Sequence, residues 1–214
     1  GITTFNLVKE LNKKSHGDIV IKYVEGGERA NVVPNYCEAG LKANDRASVI
    51  NSIEQISNKN KFDVKVESKD DLIIIGVKGL AAHGSTPELG KNAVMQMFKL
   101  LGELKIEKCD SMSVIDFFNK YVGFETDGKS FGTALEDKES GKLTFNVGAV
   151  HMSEDKVSFA LNLRYPVTLK YDDMMNPFKK RIKDLDFKIK DMVHQKPLFF
   201  PENHPLIKKL KKVY

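Results

Sequence analysis

Cysteine is scarce in this sequence, and long apolar runs are missing. Only two of the 214 residues are cysteines, Cys37 and Cys109, and they do not form a C-x-x-C pair. This count excludes a disulfide scaffold and a structural zinc site built on thiolates, and it favours a reducing, cytoplasmic location. No window approaches the roughly 18 consecutive apolar residues that a membrane-spanning helix requires, so we expect no membrane partner.

The motifs of several enzyme classes are also missing. The sequence has no G-x-S-x-G motif, and its glycines form neither a Walker A nor a G-x-G-x-x-G pattern. His16 and Asp18 form an H-x-D pattern, but a dinuclear hydrolase site also needs further carboxylates and a Glu-Glu pair, which this chain does not contain. We therefore interpret His16 and Asp18 as part of a turn, and we predict no metal site and no complete active site in this chain alone.

The charge is slightly basic and dispersed. The 34 Lys and Arg residues against 29 Asp and Glu give a net charge of +5, and 41% hydrophobic with 29% charged residues is typical of a globular chain. The basic clusters at 179–183 and 208–212 follow helical patterns and are interpreted as solvated helix faces. No nucleic-acid partner is predicted, because the aromatic pairs at 117–118 and 199–200 are typical of a core and not of an exposed sheet.

Hydrophobic periodicity predicts alternating strands and helices. The first half is predicted as strands 19–24 and 36–43, a helix capped by Asn44, strands 62–67 and 72–79, and a helix over 85–104. The second half is predicted as helices over 110–121 and 127–135, strands 143–150 and 156–165, a helix over 172–185, a strand over 187–194 and a last helix beginning at His204. This order predicts an α+β fold of two ferredoxin-like, open-faced α/β sandwich halves with antiparallel sheets, related by a pseudo-twofold.

His83 differs from the other histidines in its surroundings. It lies in the segment GLAAHGSTP (residues 79–87), between an apolar strand and a predicted helix N-terminus. Small residues allow close approach of a ligand and a helix N-terminus favours negative charge, so an imidazole here can meet an oxyanion. The alternative is a loop histidine that only caps the local backbone.

Several segments in order carry a resemblance to a known family: GGERANVVP (26–34), GLAAHGSTPELGKN (79–92), FNVG (145–148) with NLRYP (162–166), and HPL (204–206). They resemble the lid domain of dinuclear-zinc dipeptidases of the peptidase V (Xaa-His dipeptidase) type, in the same family as aminoacylase, carboxypeptidase G2 and succinyl-diaminopimelate desuccinylase. The resemblance covers essentially the whole chain. It implies a piece of a longer metallo-dipeptidase whose missing catalytic domain holds two zinc ions, or manganese or cobalt, with no cofactor in the present chain.

The resemblance also implies a division of the chain. Residues 1–17 would be the junction from the missing catalytic domain, residues 18–108 the first lid subdomain and residues 109–202 the second. Residues 203–214 would be the segment that returns to the catalytic domain.

Three side chains are implied to complete the active site when the lid closes. Asn31 would hydrogen-bond the bound dipeptide, His83 would stabilise the tetrahedral oxyanion, and Arg164 would bind the substrate carboxylate. The alternatives are a turn asparagine that satisfies its own backbone and a strand arginine that faces solvent. Strand alternation favours the role of Arg164, because it places Asn162 and Arg164 on the face opposite the apolar residues.

Two rival classes remain open at this point. The chain could be a stand-alone ligand-binding or regulatory module made of paired ferredoxin-like halves, or a nucleic-acid binder of similar fold. Within the dipeptidase interpretation, a dipeptide, an acyl-amino acid and a succinylated amine would all present a carboxylate to Arg164.

Overall fold

The structure is a computed structural model that describes residues 1–199 and Pro205. The last helix, predicted from His204, and the return segment 203–214 lie outside the described residues, apart from Pro205. In the described part of the chain, no helix combines the length and apolar character that crossing a membrane would take.

Ten strands and four helices form within the described residues. The strands are β1 (Ile2–Glu10), β2 (Ile19–Gly26), β3 (Tyr36–Ala43), β4 (Asp63–Lys69), β5 (Leu72–Lys78), β6 (Glu136–Asp137), β7 (Gly141–Lys142), β8 (Thr144–Ser153), β9 (Lys156–Arg164) and β10 (Lys188–Gln195). The helices are α1 (Arg46–Asn60), α2 (Ala93–Glu103), α3 (Asp110–Tyr121) and α4 (Tyr171–Ile182), with single 3-10 turns at Pro87–Leu89 and Lys183–Leu185. Most predicted elements agree with these bounds to within a few residues.

Eight strands form one antiparallel sheet in the order β10-β1-β9-β8-β2-β3-β5-β4, and β6 pairs with β7. The two halves meet where residues 23–26 of β2 pair with residues 150–153 of β8. This pairing satisfies the backbone groups that would be open at the edge of each four-stranded half. The predicted α+β class with antiparallel pairing is confirmed, with the difference that both halves share a continuous sheet. The pseudo-twofold stays a prediction.

The helices pack on one face of the sheet through phenylalanine contacts. Phe118 of α3 stacks on Phe159 of β9 with ring centroids 4.1 Å apart, and Phe98 of α2 meets the same ring edge-on at 5.9 Å. Phe178 of α4 meets Phe5 of β1 edge-on at 5.1 Å, and α1 packs on α2 and β3. One hydrophobic core therefore spans both halves, and the opposite face of the sheet is left to polar side chains and loops.

The helix predicted over residues 85–104 is shorter in the structure. After the turn at Pro87–Leu89, Gly90 is extended and α2 begins only at Ala93, where the Asn92 side chain accepts from the backbone N–H of Met95 at 3.2 Å. Glycine is a poor helix former and asparagine a good N-cap, so the helix starts after both. The prediction that His83 lies at a helix N-terminus is therefore wrong, and His83 lies within a loop.

The helix predicted over residues 127–135 is also wrong. Gly128 and Gly132 have positive φ angles of 69° and 90°, which a right-handed helix does not tolerate. Phe131 between them is 1% exposed and stacks on Phe178 with ring centroids 4.8 Å apart. The apolar residues of this segment therefore belong to a loop that packs into the core, and not to a helix.

The N-cap of α1 is Asp45 and not the predicted Asn44. Asp45 Oδ1 accepts from the backbone N–H of Ser48 at 3.0 Å, while the Asn44 amide donates to Asp18 Oδ1 at 2.7 Å. Asp18, one half of the H-x-D pattern, thus lies just before β2 and is bonded to the residue that follows β3. Among the described residues, no group of three or more His, Cys, Asp and Glu side chains is placed to hold a metal ion.

The predicted junction at residues 1–17 contains a strand of the second half. Strand β1 pairs with β9 along its whole length, from Ile2 opposite Arg164 to Glu10 opposite Lys156, and with β10 on its other side. The division of the remaining residues into subdomains stays a prediction.

Candidate functional site

The segment that carries His83, residues 79–92, forms a closed loop between β5 and α2, here called the histidine loop. Leu80 and Lys91 exchange two backbone hydrogen bonds of 2.9 Å each, which join the two ends. Gly79 allows this closure, because a Cβ there would lie 2.1 Å from the carbonyl oxygen of Lys91. The ends are therefore fixed, and His83 lies between them.

The segment that carries Asn31, residues 27–35, connects β2 and β3 and is called the asparagine loop. It begins at Gly27, whose φ is +70° and whose Cβ would lie 2.1 Å from the carbonyl oxygen of Gly148. Only glycine fits this position. The close approach presses the asparagine loop onto strand β8, where the register with β9 is interrupted by a bulge between Val147 and Ala149.

Backbone pairing holds the two loops together. Gly84 N–H donates to the carbonyl oxygen of Asn31 at 2.8 Å, and Val32 faces His83 in an antiparallel bridge. These contacts form a short ladder between segments that are about fifty residues apart in the chain. Asn31 and His83 are thus fixed relative to each other by backbone geometry.

The His83 ring is exposed, and Ser85 determines which of its nitrogens can donate. The backbone N–H of Ser85 donates to Nδ1 at 3.2 Å, and the Ser85 hydroxyl lies 2.6 Å from the same nitrogen. A backbone N–H can only donate, so Nδ1 is an acceptor and the proton of the neutral ring resides on Nε2. His83 therefore presents an N–H donor to the solvent side of the loop.

Asn31 has an exposed side chain in a turn whose backbone is satisfied by another residue. The carbonyl oxygens of Ala30 and Val32, on either side of Asn31, both accept from Asn146 Nδ2, at 2.8 and 3.0 Å. Within the described residues the Asn31 carboxamide makes no hydrogen bond of its own, in contrast to the alternative of a self-satisfied turn asparagine. Its side chain is available to a ligand.

Arg164 lies at the end of β9 and is half-buried. Its Nε donates to Asn162 Oδ1 at 3.1 Å, and partial burial lowers the pKa of the guanidinium, which still remains protonated. No carboxylate of residues 1–199 forms an ion pair with it. A half-buried guanidinium whose terminal NH₂ groups have no partner among residues 1–199 is suited to bind a carboxylate through two parallel hydrogen bonds.

Thr144 and Gly84 connect Arg164 to the histidine loop. Thr144 of β8 faces Arg164 across the β8–β9 register, and its hydroxyl donates to the Gly84 carbonyl at 3.2 Å. A Cβ on Gly84 would lie 3.1 Å from Asn162 Oδ1, the acceptor of the Arg164 Nε–H. Asn31, His83 and Arg164 are thus attached to one assembly on the helix-free side of the sheet, while their roles stay predictions.

Sequence reasoning missed three residues of this assembly: Ser85, Asn146 and Asn162. Strand alternation placed Asn162 beside Arg164 on the face opposite the apolar residues, but it gave no reason to expect that Asn146 and Asn162 are 2% and 1% exposed. Their burial results from the two loops, which cover a sheet face that alternation alone marks as polar.

Two other histidines are bonded to side chains outside this assembly. His151 contacts the Glu25 carboxylate through Nδ1, across the pairing of β2 and β8. His194 Nε2 lies 2.9 Å from the Tyr165 hydroxyl.

The chain is similar to several known proteins. "Putative dipeptidase" of Staphylococcus epidermidis is 28% identical over 218 residues, covering 100% of this chain and 46% of its own length. A protein of the same description from Staphylococcus aureus strain MW2 is 29% identical over 219 residues with the same coverage. The aminoacylhistidine dipeptidase of Vibrio alginolyticus aligns over 92% of this chain and 45% of its own, with a TM-score of 0.40 and 10% identity.

The chain spans about half the length of the curated relatives it matches. A sequence profile described as "Peptidase dimerisation domain" matches residues 72–189, from β5 to the start of β10. This match covers more than half of the chain, and the chain therefore belongs to the peptidase dimerisation domain family.

Proposed function

We propose that this chain is the lid of a metal-dependent dipeptidase, which closes over a catalytic domain of the same longer chain and completes its active site. The family membership and the relatives of about twice its length, named as dipeptidases, support this assignment. The described residues offer no metal site. The two zinc ions, or manganese or cobalt, are assigned to the catalytic domain, and the steps below use only side chains of this chain.

Arg164 binds the substrate carboxylate in this proposal. Its guanidinium is half-buried, has no carboxylate partner among residues 1–199, and is held by Asn162 through Nε alone. The two terminal NH₂ groups are left to form a bidentate pair with a carboxylate. A dipeptide and an acyl-amino acid both carry such a carboxylate. Arg164, which has no carboxylate partner among residues 1–199 and is bound to the assembly that presents the His83 donor, is the observation that carries the proposal.

His83 donates to the oxyanion. When water attacks the scissile carbonyl carbon, the electron pair of the C=O bond moves to oxygen, which becomes an alkoxide. The Nε2–H of His83, fixed by Ser85, stabilises this alkoxide by a hydrogen bond. Collapse of the tetrahedral intermediate restores the C=O bond and breaks the C–N bond, and the leaving amine takes up the proton that the attacking water has lost. The exposed carboxamide of Asn31 hydrogen-bonds the bound substrate beside this donor.

The rival classes have less support. A nucleic-acid binder would combine exposed aromatic and basic side chains on its sheet. On the helix-free face, Tyr23 and Tyr36 donate their hydroxyls to the Glu38 carboxylate, at 2.7 and 3.2 Å, so these two aromatic side chains lie beside a negative charge that disfavours a phosphate there. A stand-alone module would match relatives of its own length, whereas this chain matches 46% of the length of its relative from Staphylococcus epidermidis. The two buried free thiols support the assignment to the cytoplasm.

The experiment that tests the proposal compares two substrates in the full-length parent protein: a dipeptide with a free carboxylate and the same dipeptide as its C-terminal amide. The wild-type parent should prefer the free carboxylate, and Arg164→Ala should remove this preference. An unchanged preference would contradict the proposal. The isolated chain should show no turnover with added zinc, manganese or cobalt, and turnover by this chain alone would equally contradict it.

A further inference from the structure

Two asparagines are buried opposite each other on the helix-free face of the sheet. Asn146 of β8 and Asn162 of β9 are register partners and are 2% and 1% exposed. Burial of an amide is costly unless its polar atoms find hydrogen-bond partners. The partners of these two amides therefore show what the pair is built to hold.

Asn162 holds the Arg164 guanidinium and is itself held from the neighbouring strand. Its Oδ1 accepts from Arg164 Nε at 3.1 Å, and its Nδ2 donates to Thr4 Oγ1 of β1 at 2.9 Å. Because Nε can only donate, the orientation of the amide is determined. The bond to Nε fixes the plane of the guanidinium and leaves its terminal groups free for an anion.

Asn146 holds the asparagine loop. Its Nδ2 donates to the carbonyl oxygens of Ala30 and Val32, which flank Asn31. Val32 is also the bridge partner of His83. One buried amide therefore fixes the backbone on both sides of Asn31 and, one step further, the segment that carries His83.

We propose that Asn146 and Asn162 are positioning residues that divide the task between them. Asn162 orients Arg164 toward the substrate carboxylate, and Asn146 orients Asn31 and His83 toward the scissile carbonyl. This inference rests on the proposed function. It predicts that loss of Asn162 weakens recognition of the carboxylate, whereas loss of Asn146 slows the chemical step whether or not the substrate carries a carboxylate.

The test for Asn162 uses the parent protein with the free and the amidated dipeptide. Asn162→Ala should raise KM for the free dipeptide by about tenfold with little change in kcat, and should leave the amidated dipeptide unaffected. In an Arg164→Ala background, Asn162→Ala should have no further effect, because the two residues act as one unit. An equal effect on both substrates, or full additivity with Arg164→Ala, would overturn the assignment of Asn162.

The test for Asn146 uses kcat. Asn146→Ala should lower kcat by about tenfold or more for both substrates, with no further loss in a His83→Ala background. An unchanged kcat in a variant with the wild-type melting temperature would overturn the assignment of Asn146. If either alanine variant fails to fold, Thr4→Val replaces Asn162→Ala and Asn146→Ser replaces Asn146→Ala, because each removes one hydrogen bond. These variants should change KM and kcat in the same way but by a smaller factor. Absence of these changes would count against the proposal.

The matched control is Asn119→Ala. The Asn119 amide donates to the carbonyl oxygen of Phe98 at 2.7 Å, which joins α3 to α2 away from the two loops. Its loss should lower the melting temperature but should not change either kinetic constant. If Arg164→Ala itself leaves the carboxylate preference intact, the proposed function fails. If Arg164→Ala abolishes the preference but Asn162→Ala changes KM and kcat no more than Asn119→Ala does, only the present inference fails.

Discussion

The backbone N–H of Ser85 donates to Nδ1 of His83, and this single contact confines the proton of the neutral ring to Nε2. We expect nitrogen-15 NMR of the parent protein, at a pH where His83 is neutral, to show a protonated Nε2 and an unprotonated Nδ1. The reverse tautomer would place the only ring N–H on Nδ1, which faces Ser85, and would leave Nε2 without a proton to donate to an oxyanion, which would contradict the role proposed for His83.

Replacement of His83 should affect the chemical step more than binding. In the parent, His83→Ala should lower kcat by about 10²- to 10³-fold with a smaller change in KM, because an oxyanion contact is made mainly in the transition state. The matched control is His151→Ala, which removes another exposed imidazole that contacts Glu25. Steady-state kinetics of both variants check this. Equal losses in the two, or unfolding of His83→Ala alone, would make His83 structural.

Lysine should not replace Arg164. An ammonium is a point charge that cannot form two parallel hydrogen bonds with a carboxylate, and it has no Nε–H to bond to Asn162. We expect Arg164→Lys to raise KM for the free dipeptide nearly as much as Arg164→Ala does. Recovery of the wild-type KM by lysine would indicate a simple charge contact and not a bidentate one.

Glu103 should stabilise the fold at neutral pH but not in acid. Its carboxylate accepts from Lys59 at 2.8 Å, and also from Lys99 at 3.1 Å and Asn60 at 3.3 Å; these bonds outweigh the effect of burial and lower its pKa to about 2. Because the folded-state pKa lies below the ordinary 4.5, the stabilisation is present above pH 4.5 and is lost as the pH falls toward 2.

Urea titration of Glu103→Gln at several pH values measures whether the stabilisation by Glu103 is lost as the pH falls. The variant should be less stable than the wild type by about 1 kcal/mol at pH 7, since the lysine partners are largely exposed, and the difference should vanish near pH 2. Glu54→Gln is the control, because it removes an exposed carboxylate of α1 that has no ion pair among the described residues. A difference that persists at pH 2 would mean that the amide disturbs packing and not charge.

Both cysteines should be unreactive in the folded chain. Cys37 is fully buried, and burial, with the charges of Glu25 and Glu38, raises the pKa of its thiol. Cys109 is 2% exposed. We expect a thiol reagent to label neither residue in the native state and both after unfolding in guanidinium. Fast labelling of native protein would show that the core around Cys37 opens readily.

The sequence predicts the helices and strands whose apolar pattern is local. It does not predict the bounds of an element when contacts with residues elsewhere in the chain determine where that element ends. Strand β3 and helix α3 have their predicted bounds, because their apolar spacing alone defines them. The helical pattern before Ala93 is interrupted because Lys91 pairs with Leu80 at the start of the histidine loop. Such pairing is not visible in local spacing.

The same limit applies to the candidate site. Asn31, His83 and Arg164 were found through the motifs that contain them, since each motif lies within a short segment. The burial of Asn146 was not predictable, because the carbonyl groups that it bonds lie 116 and 114 residues away in the chain. Local alternation identifies a polar strand position but cannot show which loop covers it.

The place of β1 in the sheet has a consequence for the order in which the chain folds. β1 precedes every other strand of the sheet in the chain, yet its partner β9 begins at Lys156 and β10 at Lys188. The strands and helices between Ile19 and Glu103 have partners close in sequence and can assemble early. During that time Phe5 and Leu7 of β1 have neither their neighbouring strands nor the Phe178 side chain of α4 to pack against, so a nascent chain carries an unpaired apolar strand until β9 and β10 have been synthesised.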